Sequence, residues 1–225
     1  MNFRKPRSPE DALKRRRLGK RLRQDRKKDW QSLRYGGSPS DLWSVRRTPL
    51  RAIESDFRAK FSSIVQNLQM CAGTRQIRVL DLGCLDGEAI SQLAADFPNI
   101  KAHGLSLKRL DSWKKYRTVA FRVAHAEKTR FPANHFDLIY SYFGLTHSDF
   151  ESSVKEAHRI LLSGGELLVN QEVGNLYGLR GSDFDLLNQQ KKRLEELGFE
   201  VLKGAFLGMG VGNQLICKFF HLRKK

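Results

Sequence analysis

The chain has 225 residues, 40% of them hydrophobic, and a formal net charge of +17. This length and apolar content suffice for one ordinary domain with a buried core, plus an appendage. No run of about 18 apolar residues occurs, so no membrane span is expected, and the charged N-terminus lacks the apolar segment of a secretory signal. Three scattered cysteines without a CxxC pair indicate neither zinc nor a redox dithiol. We therefore expect an intracellular, cytoplasmic protein without a metal site.

Most of the excess positive charge lies at the N-terminus. Residues 1–51 contain 17 Lys and Arg against five Asp and Glu, a local net charge of +12, whereas the remainder carries +5. Apolar residues are too few there for a helical core stripe, so we predict that residues 1–54 form a basic, flexible arm. Trp30, Tyr35 and Trp43 lie among its arginines, where they would either stack on bases or pin the arm to the domain.

Such an arm has two interpretations, which the sequence leaves open. It is either a nucleic-acid contact or a solubilising tail or targeting sequence. Its acidic residues count against a mitochondrial presequence. We favour contact with RNA, with ribosome association as one form that this contact would take.

From Ser55 onward, predicted helices and strands alternate. The first helix is predicted over Ser55–Met70, with Ser55 as its N-cap. Later helices are predicted over 88–97, 150–162 and 184–197. The predicted strands are Ile77–Leu82, Ile100–Leu107, Arg117–Ala124, His135–Tyr142, Glu166–Glu172, Phe199–Phe206 and Gln214–Leu222. This alternation is typical of an α/β domain with a doubly wound, mostly parallel seven-stranded sheet, here over residues 55–225.

The segment Ile77–Gly87, IRVLDLGCLDG, combines a buried strand, a tight loop and the start of a helix. Glycines at a strand end let the backbone pass close to a ligand, and the N–H groups of the next helix point at it. Asp81 adds an acceptor beside the loop. Many α/β domains have such a loop for turning alone, so its meaning depends on the segments that follow.

Four segments in register resemble the class I, Rossmann-like S-adenosylmethionine-dependent methyltransferases, especially the methyltransferase type 11 group. They are VLDLGCLDG, AHGLSL, FRVAHAEKTRFPANHFDLIYS and HRILLSGGELLV, and the match covers roughly residues 55–222. The resemblance implies the Rossmann-like methyltransferase fold and S-adenosyl-L-methionine as cofactor. It also implies that the cofactor lies at the carboxyl ends of the strands.

The resemblance also implies cofactor contacts, and three of them depart from the family pattern. Leu85 stands in place of the middle glycine, where a β-carbon costs little if φ is negative. Ser106 replaces the acidic residue that holds the ribose, a loss of about 1 to 2 kcal/mol. His125 replaces the Asp that accepts from the adenine amine; a neutral imidazole also accepts, although His125 is otherwise an ordinary loop residue. The implied contacts are Asp81, Gly83, Cys84, Leu85, Gly87, Ser106, Leu107, His125, Ala126, Glu127 and Ser141.

The methyl acceptor is not identified by these motifs. The segment SYFGLTHSDF lacks the Asn/Asp-Pro-Pro-aromatic motif of amino-methyltransferases, and no Pro-Cys nucleophile occurs. Tyr142 and His147 are the candidate catalytic residues, with His147 as general base or, alternatively, as a solvent-facing cap of the next helix. We expect the loops over residues 174–183 and 204–212 to close the same face.

Two functions of different class remain open, and a small-molecule methyltransferase whose basic tail is incidental is a third option. The first is a methyltransferase that acts on RNA or on an RNA-associated protein. The second is a catalytically inactive methyltransferase fold that serves as an RNA- or ribosome-binding module. The retained Asp81 and Gly83 favour the first, and the replacements at Leu85, Ser106 and His125 favour the second.

Overall fold

The computed structural model describes residues 49–145, 148–175, 181–209 and 215–225. Side chains are described throughout these ranges except at 172–175, 181–184, 207–209 and 215–216. The predicted arm up to residue 48, with Trp30, Tyr35 and Trp43, lies outside the described residues, as does His147. The role of the arm stays a prediction. No helix of the described ranges is both long enough and apolar enough to cross a bilayer.

Helices and strands alternate along the described chain. The helices are α1 Leu50–Phe57, α2 Phe61–Ala72, α3 Glu88–Asp96, α4 Phe150–Ile160 and α5 Gly181–Glu196, with a 3₁₀ helix at Asp111–Lys115. The strands are β1 Ile77–Leu82, β2 Ile100–Ser106, β3 Val119–Val123, β4 Phe136–Ser141, β5 Leu161–Asn175, β6 Phe199–Met209 and β7 Leu215–Lys224.

The seven strands form one sheet in the order β3-β2-β1-β4-β5-β7-β6. Strands β1 to β5 pair in parallel, and β7 runs antiparallel between β5 and β6. The predicted fold class is thereby confirmed. Because the chain winds outward in both directions from β1 and β4, a crevice opens at the carboxyl ends of these two strands, where such sheets bind ligands.

Two apolar layers cover the sheet. Alternate residues of β1 serve opposite layers, since side chains of a strand alternate between its faces. Val79 packs with α1, α2 and α3, and Leu80 packs with α4 and α5 on the other face. A strand buried on both faces has no polar alternation, which is why β1 reads as a nearly continuous apolar run.

The N-terminal part of the domain differs from the prediction. The single helix predicted over Ser55–Met70 is wrong: the chain forms α1 and α2, separated at Arg58, which has φ +49°. Ser55 lies inside α1 and is not an N-cap. Burial explains the earlier start, because Leu50 and Ile53 lie in the core and the Leu50 N–H donates to Gln92 Oε1 at 2.8 Å.

The C-terminal strands are longer than predicted. β5 begins at Leu161, before the Gly164-Gly165 pair, and β6 continues to Met209, so residues 204–209 are strand and not the loop expected there. Glycine disfavours strands, but ladder pairing along β7 outweighs this preference. β3 is shorter than predicted, at Val119–Val123. β1 has the predicted bounds, and the ends of β2, β4 and β7 that differ from the prediction shift by one or two residues.

Candidate cofactor site

The loop between β1 and α3 requires its glycines. Gly83 has φ +103° and Gly87 φ +82°, a region that side chains rarely adopt. A β-carbon on Gly83 would lie 2.4 Å from the Cα of Gly144, and one on Gly87 would lie 2.5 Å from the ring of Phe121. The backbone of this loop therefore passes unusually close to both neighbours.

Backbone hydrogen bonds tie this loop to the end of β2. The N–H groups of Gly83 and Cys84 donate to the Leu105 carbonyl at 2.8 and 2.9 Å, and the Gly87 N–H donates to the Cys84 carbonyl at 2.8 Å. The Cys84 thiol is buried, and burial raises its pKa well above the usual value. Cys84 would therefore contribute its backbone rather than a reactive thiolate.

Leu85 lies at the tip of the loop in a left-handed conformation, with φ +44° and 42% of its surface exposed. The negative φ under which a β-carbon costs little is therefore absent. Trp113 holds this residue: its Nε1–H donates to the Leu85 carbonyl at 2.7 Å, and its ring stacks on Phe121 at 4.6 Å. No motif predicts this contact, because Trp113 lies in the connection between β2 and β3, for which the sequence shows no family pattern.

Asp81 is a buried carboxyl group at the end of β1. Burial raises its pKa to about 7, partly offset by the Tyr140 hydroxyl, which donates to Asp81 Oδ2 at 2.9 Å. A neighbouring cation would favour the charged carboxylate and lower this pKa. Asp81 therefore suits a cationic group at the crevice.

The strand register brings most of the predicted contacts together at the carboxyl ends of neighbouring strands. Asp81 pairs with Gly104 in β2 and with Tyr140 in β4, so Ser106 and Ser141 end neighbouring strands beside it. Ser106 is half-buried, whereas the buried Ser141 hydroxyl donates to the Leu82 carbonyl at 2.6 Å. Ser141 thus fixes two strand ends and has a structural contact of its own.

The remaining predicted contacts lie past the ends of β2 and β3. Leu107 and His125 are exposed, and His125 forms an isolated bridge with Lys128. Ala126 is buried. Glu127 accepts the Asp149 N–H at 3.0 Å, which ties this loop to the start of α4.

Tyr142, the described member of the predicted catalytic pair, follows β4. Its hydroxyl donates to the Asp56 carboxylate of α1, and burial with this contact raises the pKa of Tyr142 above its usual value. The phenol is therefore neutral near pH 7 and acts as a donor, not as a base. Asp56 was missed by the sequence analysis, since 86 residues separate the pair.

The turn after Tyr142 fits against the glycine loop. Phe143 has φ +57°, and its N–H donates to the buried Asn170 Oδ1 at 2.7 Å. A β-carbon on Gly144 would lie 2.2 Å from the Leu82 carbonyl oxygen. The turns after β1 and β4 therefore hold each other in place at the crevice.

A cavity of about 510 Å³ lies beside β3. Its lining residues are Arg109, Trp113, Lys114, Phe121, Arg122 and Val123. None of the predicted cofactor contacts lines it, although Trp113 and Phe121 separate it from the glycine loop. The geometry of the loop, rather than this cavity, marks the candidate cofactor site.

Comparisons with known proteins agree with this architecture. Residues 80–169 match the family described as Methyltransferase domain. A putative sarcosine dimethylglycine methyltransferase from Galdieria sulphuraria has a similar fold, with TM-score 0.56, 15% identity, and coverage of 77% of this chain and 86% of that one. Phospholethanolamine N-methyltransferase 2 from Haemonchus contortus aligns with TM-score 0.54 and 17% identity, covering 78% and 56%.

A third similar structure is the [4+2]-cyclase SpnF, with TM-score 0.54, 18% identity, and coverage of 72% and 80%. No curated protein matches the sequence. The chain has the fold of the class I methyltransferases, and the resemblance inferred from its motifs is confirmed. Because one neighbour is named as a cyclase, the fold alone does not define the reaction.

Proposed function

We propose that this protein binds S-adenosyl-L-methionine and transfers its methyl group to RNA or to an RNA-associated protein. The observation that carries the cofactor assignment is the loop between Asp81 and α3 at the carboxyl end of β1, where Gly83 and Gly87 have positive φ and Gly87 directly precedes the N-terminus of α3. The solved structure of the Haemonchus enzyme is a complex with S-adenosylhomocysteine, and a geranyl diphosphate methyltransferase of similar fold was solved with sinefungin.

The residues at the crevice suit the chemical groups of this cofactor. The Asp81 carboxyl complements a cationic ammonium group, because such a partner would relieve its raised pKa. The half-buried hydroxyl of Ser106 offers a hydrogen bond to a ribose. Leu107 and Ala126 provide apolar surface for a base, and the exposed His125 provides a ring nitrogen for an amine.

The bound cofactor supplies an electrophilic methyl group, so the protein has mainly to align an acceptor and exclude water. Tyr142 is a neutral donor held by Asp56, which fits it for orienting an acceptor rather than for removing its proton. The role of His147 as general base stays a prediction.

The choice of RNA rests on charge. Residues 1–51 carry a net charge of +12, far more than solubility requires. Clustered cations of this kind neutralise phosphates and release counterions. The neighbours named above carry the names of enzymes with other substrates, so the acceptor is inferred from this chain alone.

The second candidate is an inactive fold that binds RNA or ribosomes. Two observations favour it: Ser106 and His125 provide no carboxylate for the cofactor, and Leu85 projects from the loop tip. Under this alternative, RNA would bind without any cofactor affinity.

Calorimetric titration of the full chain with S-adenosylmethionine and with S-adenosylhomocysteine tests the proposal. We expect micromolar binding, lost or strongly weakened in Asp81→Ala and in Gly83→Val. Asp96→Asn, an exposed carboxylate at the end of α3, is the matched control and should bind as the wild type does. Absence of heat at millimolar cofactor would exclude the enzyme and favour the second candidate.

Radiolabelled methyl transfer then identifies the acceptor. Protein and total RNA, incubated with methyl-labelled cofactor, should give label that ribonuclease releases if RNA is the acceptor, or that protease releases if a bound protein is. Label in neither fraction, with cofactor binding intact, would refute an RNA-linked acceptor.

A further inference from the structure

The connection between β2 and β3 is unusually sparse. The crossovers from β1 to β2 and from β4 to β5 carry helices of nine and 11 residues, α3 and α4. The β2–β3 connection carries only the five-residue 3₁₀ helix Asp111–Lys115. Because so short a helix covers little of the sheet, the 510 Å³ cavity remains open beside β3.

This connection is also strongly basic. Within residues 108–117, KRLDSWKKYR, five cations accompany a single carboxylate, a local net charge of +4. All five cations are exposed: Lys108, Arg109, Lys114, Lys115 and Arg117. Among the described residues, Lys114 alone pairs with a carboxylate, Asp111 at 2.9 Å, and that pair is itself exposed. The segment therefore presents positive charge that the domain does not neutralise.

The cavity combines this charge with an apolar floor. Three cations line it, Arg109, Lys114 and Arg122, together with the apolar side chains of Trp113, Phe121 and Val123. Val123 is 51% exposed at the edge of the sheet. Cavities of a few hundred Å³ accommodate a ligand the size of a nucleotide. Cations beside aromatic and aliphatic surface are also the pattern of single-stranded nucleic-acid grooves.

We propose that this cavity and the basic segment 108–117, together the β3-edge groove, bind a single strand of RNA, with one base in the cavity and phosphates on Arg109 and Lys114. The inference rests on the proposed function for its choice of RNA, and it gives the folded domain an RNA contact of its own, separate from residues 1–48. Charge complementarity selects a polyanion, and the apolar floor selects one that carries bases.

The position of the groove supports a role in substrate delivery. Trp113 contacts both the cavity and the Leu85 carbonyl, so the groove adjoins the glycine loop. The first described helix, α1, packs in the same apolar layer as Trp113 and Val119. An RNA strand in the groove would therefore lie on the face of the sheet from which α1 and α3 approach the crevice.

The test uses fluorescence anisotropy of the full chain with a labelled 12-nucleotide single-stranded RNA, in the absence of cofactor. Arg109→Gln/Lys114→Gln should weaken binding about tenfold near 0.15 M salt and reduce the log-log salt slope by about 1.4, from about 0.7 per phosphate contact. The matched control is Lys155→Gln/Lys192→Gln. It also removes one cation paired with a carboxylate, Glu151 at 2.7 Å, and one exposed cation, both outside the groove.

The control should keep the wild-type affinity within about twofold. A photocrosslink from a 4-thiouridine-substituted RNA should map to the peptides that contain Trp113 or Phe121. Equal loss in the two double variants would mean that only net charge matters and would overturn the groove. Crosslinks confined to residues 1–48 would overturn it as well.

Failure of this proposal is distinguishable from failure of the proposed function. If Arg109→Gln/Lys114→Gln binds RNA as the wild type does, and also binds the cofactor and transfers its methyl group, the groove proposal is refuted and the proposed function stands. If polyglutamate competes for the groove as well as RNA of equal charge does, the ligand is an acidic protein segment and the RNA assignment fails.

Discussion

At the scale of single residues, two buried titratable groups have opposite effects on how the stability of the protein changes with pH. Asp81 has its pKa raised to about 7 by burial, and His103 has its pKa lowered to about 4, chiefly by burial among aromatic rings. Between about pH 4 and 7, Asp81 keeps a proton in the folded state that the unfolded chain releases, so its contribution to stability falls as pH rises. His103 behaves oppositely, and its contribution falls as pH drops below 6.5.

Asp81→Asn should therefore stabilise the ligand-free protein near pH 7, by an amount on the order of 1 to 3 kcal/mol, although it weakens cofactor binding. Asn also accepts the Tyr140 hydroxyl, so the hydrogen bond is kept. The substitution removes the fall in stability with rising pH that Asp81 contributes, and the opposite contribution of His103 remains. The free energy of unfolding should therefore rise steadily from pH 4 to 6.5. Urea unfolding across this pH range measures both effects.

His103→Leu is the complementary control, because it removes the rise in stability with pH that His103 contributes. The contribution of Asp81 then remains, so the free energy of unfolding should fall from pH 4 to 7. An Asp81→Asn protein that is less stable than the wild type at pH 7 would contradict the assignment of a raised pKa to Asp81.

Leu85→Gly tests whether the side chain at the loop tip presses on the cofactor. A left-handed leucine costs roughly 1 to 2 kcal/mol, and glycine costs a similar amount through the flexibility of the unfolded chain. We therefore expect a nearly unchanged melting temperature and cofactor binding that is at least about threefold tighter. Calorimetry and thermal unfolding measure the two.

Arg58→Gly is the matched control, since Arg58 has a similar φ of +49° between α1 and α2. It should leave cofactor affinity unchanged. If Leu85→Gly also leaves the affinity unchanged, Leu85 is a loop residue that only adopts the required turn.

At the scale of elements, the strands that the sequence predicts most accurately are those covered by helices on both faces of the sheet. β1 was predicted without error and β4 within one residue, because a central parallel strand is a short apolar run with turn residues at its ends. The break between α1 and α2 falls at Arg58, a residue type without helix-breaking character, so tertiary packing decides it.

The candidate site was predicted only where a motif carries it. Asp81, Gly83 and Gly87 follow from local pattern, whereas the contacts of Trp113 with Leu85 and of Asp56 with Tyr142 join residues 28 and 86 positions apart. No periodicity or composition encodes such pairs, since they depend on how separate elements pack.

The first helix belongs to the domain, which predicts different outcomes for two truncations. Removal of residues 1–48 keeps Leu50, Ile53 and Phe57 and should preserve the melting temperature. Removal of residues 1–58 exposes the surface that these side chains cover, at a cost of about 5 to 8 kcal/mol. That loss is comparable to the whole stability of a domain. Circular dichroism during heating compares the two.

Ile53→Ala is the graded control and should lower stability by about 2 to 4 kcal/mol without unfolding the protein. A stable, cooperatively folded protein lacking residues 1–58 would show that α1 is an appendage.

At the scale of the whole molecule, two basic regions are proposed to contact RNA, the N-terminal residues and the β3-edge groove. If the N-terminal arm follows a phosphate backbone and neutralises roughly six phosphates, the log-log salt slope for RNA binding should be near −4. Removal of residues 1–48 should abolish most of this salt dependence. The smaller slope that remains should be the part contributed by the phosphate contacts of the groove. Anisotropy titrations at several salt concentrations measure both slopes.

Trp30→Ala and Trp43→Ala are the controls, because stacking releases no counterions and should change affinity more than slope. Full slope and affinity in the truncated protein would mean that the arm is a tail or a targeting sequence, and that all RNA contact lies on the domain.

The place of β3 at the end of the sheet has a consequence for the behaviour of the protein in concentrated solution. An edge strand has unpaired backbone N–H and C=O groups with which a strand of a second chain can pair. The exposed Val123 adds apolar surface at this edge, which favours association. The neighbouring lysines and arginines repel another copy of the same margin. Variants that neutralise them should therefore precipitate at lower protein concentration while melting at the same temperature.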